Sequence, residues 1–91
     1  MEELVAALRR ELAGDVRADA YTRHLYASDA SMYAREPVAV AFPRSADDVA
    51  AAITIAGRFD LPVVSRGAGT SLTGQAIGAG ALVLDTSRHL D

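Results

Sequence analysis

The sequence has no cysteine, no tryptophan and no lysine; all nine of its cations are arginine. Without cysteine the chain has no disulfide framework, no thiolate metal site and no cysteinyl iron–sulfur ligation, which agrees with a reducing compartment. Without lysine it can form no Schiff base, and it lacks the lysine on which a P-loop depends. Long apolar runs are also missing. None approaches the roughly 20 residues of a membrane span, and the opening Met1-Glu2-Glu3-Leu4 is acidic where a secretory signal is basic. These absences predict a soluble, cytoplasmic protein with no transmembrane segment. Basic patches are missing too: with a net charge of −3 and scattered arginines, the chain has no electrostatic footprint for nucleic acid. At 91 residues it is one small domain or part of a larger protein.

The patterning that is present reads as α/β. Residues 2–13 carry Leu4, Val5, Leu8 and Leu12 on one stripe, with acids in the first turn, arginines later and Gly14 beyond the end, the signature of an amphipathic packing helix. Residues 15–37 are irregular and polar, and predict a loop with one helical turn near Asp29. Tyr21, Tyr26 and Tyr33 could form an aromatic binding platform, but amphipathic rings lying over a small core explain them equally well, and that is the expected reading. Val38-Ala39-Val40-Ala41-Phe42, between Pro37 and Pro43, predicts a buried strand. Ser45 then caps a helix, Asp48 completes a capping-box-like pair, and Val49, Ala52, Ile53, Ala56 and Phe59 form the apolar face. Pro62 ends that helix and opens a second strand through Val63 and Val64, which makes a βαβ unit. A third strand is predicted over Ala81-Leu82-Val83-Leu84-Asp85. The expected fold is therefore a three-stranded parallel sheet with flanking helices.

Between the second and third strands stands Arg66-Gly67-Ala68-Gly69-Thr70-Ser71-Leu72-Thr73-Gly74. Small residues let the backbone approach a bulky anion, and glycine reaches the positive φ angles that aim successive N–H groups at one point. Arg66, Thr70 and Ser71 add a cation and two hydroxyl donors. A turn at the carboxyl end of a parallel strand is also where open α/β sheets bind ligands. Two familiar phosphate motifs do not match. Counted from Gly67, the dinucleotide fingerprint meets Leu72 where its last glycine belongs; Gly69 and Gly74 have P-loop spacing, but Gln75 and Ala76 follow. On these residues alone, a purely structural turn and an anion cradle both stand.

The segment from Pro62 to Gly74, followed by Leu82-Val83-Leu84-Asp85-Thr86-Ser87-Arg88-His89, closely resembles the amino-terminal FAD-binding subdomain of the FAD-linked oxidases. These are of the vanillyl-alcohol oxidase or p-cresol methylhydroxylase type, and the likeness is strongest to the D-lactate dehydrogenase and glycolate oxidase FAD-subunit branch. Upstream, Tyr26-Ala27-Ser28-Asp29-Ala30-Ser31-Met32-Tyr33 and the run from Glu36 to Val49 continue the resemblance, which covers residues 21–91. It implies a lead-in over residues 1–36 and, over 37–91, the first, pyrophosphate-binding lobe of an FAD-binding domain that stops before a second lobe. Arg66, Gly67, Ala68, Gly69, Thr70 and Ser71 would wrap the FAD pyrophosphate, with Gly74 and Gln75 continuing along the cofactor. The implied reaction is oxidation of a D-2-hydroxy acid of the lactate, glycolate or 2-hydroxyglutarate class to the 2-oxo acid, completed by a C-terminal lobe or a second chain. No histidine or cysteine lies between Arg66 and Gly80, so the FAD is expected to be non-covalent. No catalytic residue and no metal ligand is named; His24 and His89 read as surface histidines and Asp85 as a turn former. A stand-alone nucleotide- or phosphate-binding module and a non-functional remnant remain as alternatives for the 91 residues.

Overall fold

A computed structural model describes residues 2–27, 37–66 and 80–89 of the chain. The first helix forms as its stripe dictates: α1 (Glu2–Glu11) has Glu2 and Glu3 in its first turn and Arg9 and Arg10 in its last, both favourable to the helix dipole. Leu4 and Leu8 are fully buried, each contributing about 2 kcal/mol by removal from water.

The next stretch departs from expectation. Where sequence patterning predicts an irregular loop, the chain forms a short strand, β1 (Asp15–Arg17), and a helix, α2 (Ala20–Ala27). Only Val16 of β1 enters the core, and one inward residue is too little for a period of two to register. Helix α2 is set by its cap. Asp19 accepts hydrogen bonds from the Thr22 N–H at 2.9 Å and from the Thr22 hydroxyl, which satisfies helix donors that have no partner of their own. Those bonds hold the Asp19 carboxyl below its usual range, the Thr22 N–H first among them, against the opposing effect of desolvation. Tyr21 and Leu25 of this helix are exposed, so its apolar residues give no inward stripe.

Strand β2 (Ala39–Phe42) is buried along its whole length. Alternate residues face opposite sides. Ala39 and Ala41 join Leu82 and Leu84 of β4 (Leu82–Asp85) in a core closed by α1 and by α3 (Ala46–Arg58), while Val40 and Phe42 join Val83 on the other side, with Tyr26 and Val64 packed against them. Burial on both faces explains why these strands read as unbroken apolar runs.

The sheet order is β1-β2-β4-β3, with β3 spanning Val63–Arg66. Strands β2, β4 and β3 are parallel, as the sequence predicts, with β4 in the middle: Val40 pairs with Val83 and Val64 pairs with Val83 from the other side. The fourth strand corrects the three-stranded expectation. β1 adds antiparallel to β2, with Asp15 opposite Phe42 and Arg17 opposite Val40, so the sheet is mixed.

Helix α3 begins as expected and ends differently. The Ser45 side chain accepts from the Asp48 N–H at 3.1 Å, but Asp48 does not return a bond to Ser45. Its carboxylate reaches instead to the N–H groups of Arg44, Ala13 and Gly14, each at 3.0 Å, and so ties α3 to the turn between α1 and β1. At the other end, Asp60 adopts a left-handed φ of 61°. The Leu61 N–H bonds to the Ala56 carbonyl at 3.0 Å and the Asp60 N–H to that of Gly57 at 3.2 Å. That pair of bonds is a Schellman motif, so the helix is closed before Pro62 is reached.

Gly57 sits exposed in α3, and a Cβ added there would meet nothing within 4 Å. Glycine inside a helix costs about 1 kcal/mol relative to alanine. Gly57→Ala is therefore expected to stabilise the domain by about 1 kcal/mol, read as a higher urea midpoint; an unchanged or lower midpoint would show that Gly57 has a role beyond the helix.

Candidate functional site

Three parallel strands end side by side at one edge of the sheet: β2 at Phe42, β4 at Asp85 and β3 at Arg66. Arg66 is paired in register with Asp85. The carboxyl edge of a parallel sheet is where chain reversals bring backbone donors together. Of the residues that sequence reasoning assigns to an anion site, Arg66 is the last of β3; Gly67, Ala68, Gly69, Thr70, Ser71, Gly74 and Gln75 lie outside the described residues.

The charge at this edge is already arranged. A helix N-terminus is a natural seat for an anion, and that of α3 follows β2 directly. It is capped by the chain itself: the Ser45 side chain accepts from the Asp48 N–H, and the Asp48 side chain, 5 % exposed, brings a carboxylate to the same turn. Burial raises the Asp48 carboxyl, but the three N–H groups of Arg44, Ala13 and Gly14 outweigh it and hold the group ionised, below the usual carboxylate range. An anion at the α3 terminus would meet the ionised Asp48 nearby, a like charge.

Asp85 behaves as the turn former the sequence suggests and does more besides. Its Oδ1 accepts from the Ser87 N–H at 2.9 Å and the Ser87 hydroxyl at 2.6 Å, while its Oδ2 accepts from the Tyr26 hydroxyl of α2. The Tyr26 ring stands edge-on to Phe42, with centroids 6.3 Å apart and planes at 76°, and the Arg88 guanidinium lies over the Phe42 ring at 3.9 Å and pairs with Asp15 at 3.6 Å. Sequence reasoning missed this cluster, because Tyr26 and Asp85 are 59 residues apart and no local spacing links them.

Of the three tyrosines, Tyr26 lies over the core as expected, Tyr21 is exposed and Tyr33 is outside the described residues. His24 sits in the last turn of α2 and His89 in the turn after β4, both exposed. Among the described residues no group of three or more His, Asp or Glu side chains could hold a metal ion, and no helix is long and apolar enough to cross a membrane. An open groove of about 700 Å³ lies at the opposite end, by the start of β2, lined by residues that include Val5, Arg9, Arg17, Arg23 and Val38. Its arginines are occupied locally: Arg9 bonds the Val16 carbonyl, Arg23 that of Ala18, and Arg17 pairs with Asp19.

Comparison with known proteins places this arrangement. A family model described as an FAD binding domain matches residues 37–91. The D-2-hydroxyglutarate dehydrogenase of Pseudomonas putida is 42% identical over 93 residues, which cover 98% of this chain and 9% of that protein. That of Escherichia coli is 37% identical over 81 residues, covering 86% of the chain and 8% of the relative. The chain thus spans about a tenth of the length of these curated relatives. Among solved structures, wild-type BBE-like 1 of Physcomitrella patens superposes with a TM-score of 0.66 at 22% identity, over 91% of this chain and 19% of that one, a likeness of fold.

The donor chemistry agrees with such a cofactor. The sequence that follows β3 is rich in glycine and hydroxyl residues and free of acids from Gly67 to Gly80; the acid beside its start, Asp85, has both carboxylate oxygens engaged by Tyr26 and Ser87. The mixed sheet with its parallel carboxyl edge, the family match over more than half of the chain and the close dehydrogenase relatives lead to one conclusion: the chain belongs to the FAD-binding domain family of the FAD-linked oxidases, and its cofactor is FAD.

Proposed function

We propose that this domain holds the FAD pyrophosphate through Arg66, Gly67, Ala68, Gly69, Thr70, Ser71, Gly74 and Gln75, in an enzyme that oxidises a D-2-hydroxy acid to the 2-oxo acid. The observation that carries the reading is the 42% identity to a D-2-hydroxyglutarate dehydrogenase along 98% of the chain. It makes 2-hydroxyglutarate the first substrate to try, ahead of lactate and glycolate. The geometry supports it: the proposed residues begin at the carboxyl end of β3, at the edge where the three parallel strands end side by side. Backbone N–H groups and the Thr70 and Ser71 hydroxyls bind the diphosphate, and Arg66 balances part of its charge. When bound, FAD supplies the two-electron acceptor; this chain's share is to fix its position against substrate. The residues that touch substrate belong to the remainder of the polypeptide or to a second chain, which completes the site. Attachment is non-covalent, since Arg66 to Gly80 contains no histidine or cysteine to bond the flavin.

The test is purification of the complete polypeptide that carries this sequence, followed by assay of D- and L-2-hydroxyglutarate, D-lactate and glycolate with an artificial electron acceptor. A yellow protein that releases its flavin on acid precipitation and converts a D-2-hydroxy acid to the 2-oxo acid is expected. Bound flavin with no turnover of any 2-hydroxy acid would overturn the substrate class. Flavin that stays with the precipitate through this segment would overturn non-covalent attachment.

A further inference from the structure

A carboxylate beside the strand that leads into a diphosphate site is an electrostatic liability unless its charge is engaged. Asp85 is such a group: its backbone is paired in register with Arg66, and it is only partly buried. Ser87 provides two donors to Oδ1, both from within the same turn. A donor to Oδ2 comes from elsewhere, the Tyr26 hydroxyl on α2. Tyr26 is itself held, edge-on, by Phe42 at the end of β2. One side chain thus touches the last residues of two of the three parallel strands, and through the register of β4 and β3 its partner is set beside the third.

We propose that Tyr26 is a positioning residue for FAD. By holding Asp85 Oδ2 and packing on Phe42 it joins the ends of β4 and β2, beside the end of β3 from which the proposed FAD-binding residues depart. This rests on the assignment of Arg66 to Gln75 to the FAD pyrophosphate. Tyr26 does not contact the flavin in this role; it acts through Asp85. A hydrogen bond to a charged acceptor is among the stronger ones in a protein, and loss of the Tyr26 donor loosens the hold on the Asp85 side chain at the end of β4.

The experiment uses the complete polypeptide, stripped of flavin and reconstituted with FAD, with the dissociation constant read from flavin fluorescence and the melting temperature of the apoprotein read separately. Tyr26→Phe keeps the ring on Phe42 and removes only the hydroxyl. It is expected to raise the FAD dissociation constant about tenfold, while the apoprotein melts within about 2 °C of wild type. The double variant Tyr26→Phe/Asp85→Asn removes the charge that the Tyr26 hydroxyl had helped to hold, and is expected to recover affinity to within about threefold of wild type, the coupling that a double-mutant cycle isolates.

An unchanged dissociation constant in Tyr26→Phe would overturn the proposal and leave the FAD assignment standing. So would a fall in apoprotein melting temperature with no change in FAD affinity, since Tyr26 would then be a strut of the fold alone. Failure of the double variant to recover would show that Tyr26 does not act through Asp85. A wild-type protein that binds no FAD would sink this inference and the assignment beneath it together.

Discussion

Replacement of Asp48 by alanine is expected to leave the isolated domain largely unfolded at 25 °C. The carboxylate is nearly inaccessible and accepts from three backbone N–H groups, two of them more than thirty residues away in the turn between α1 and β1. Alanine would remove the shared, charged acceptor of these three part-buried hydrogen bonds, and a hydrogen bond to a charged group contributes about 1.5–3 kcal/mol. Even with partial relaxation the total is about 3 kcal/mol, much of the stability of a domain this small. Far-UV circular dichroism and limited proteolysis read the result; a variant with wild-type protease resistance would show that the turn is held by something else.

The same residue sets an acid limb. Because the folded-state carboxyl lies below its unfolded value, its contribution is fully present above the unfolded value and is lost as pH falls through the folded one. Stability should therefore decline below about pH 4, with Asp19 contributing in the same direction. Asp48→Asn tests the sign. It should be destabilised by about 2 kcal/mol at pH 7, and the gap to wild type should narrow as the pH is lowered, because protonation removes from the native carboxyl what the amide already lacks. A gap that stays constant with pH would mean that the charge of Asp48 is not what matters.

Asp48 also marks the boundary of what the sequence reveals. Its position three residues after Ser45 is a local signal, and the helix start was legible from it; its grip on Ala13 and Gly14 spans 35 and 34 residues, and no pattern in the chain records it. Strands β2 and β4 were legible because burial on both faces writes itself as apolar runs. Strand β1 was not, with Val16 alone turned inward, nor was α2, whose Tyr21 and Leu25 face solvent and whose one clear signal is the spacing of Asp19 to Thr22. At the candidate site, glycine, hydroxyl and arginine chemistry was readable as composition along one segment. The Tyr26 contact to Asp85 arises only when α2 is laid across the strand ends, and so had no local trace.

Gly14→Ala is expected to destabilise the domain by about 3 kcal/mol, the upper range of overpacking a close contact. The substitution is ordinarily mild, and Gly57→Ala in the same domain is expected to have the opposite sign because its Cβ would meet open space. At Gly14 the added Cβ would lie 1.9 Å from the Phe42 carbonyl oxygen and 2.9 Å from the carbonyl carbon, with Arg44 Cγ at 3.2 Å. The cost is steric rather than conformational, since the glycine is not among those with positive φ. Neither neighbour can yield easily. Phe42 is backbone in a strand paired on one side to β1, through Asp15, and on the other to β4. Gly14 is itself held by its N–H to Asp48. Relief must therefore come from peeling β1 off the sheet or from moving Phe42, whose ring carries Tyr26 and Arg88. Either shift reaches the carboxyl edge, so the complete polypeptide should lose flavin content along with stability. Urea denaturation of Gly14→Ala beside Gly57→Ala, with flavin content measured on both, tests this; equal midpoints for the two variants would refute the close approach of Gly14 to Phe42.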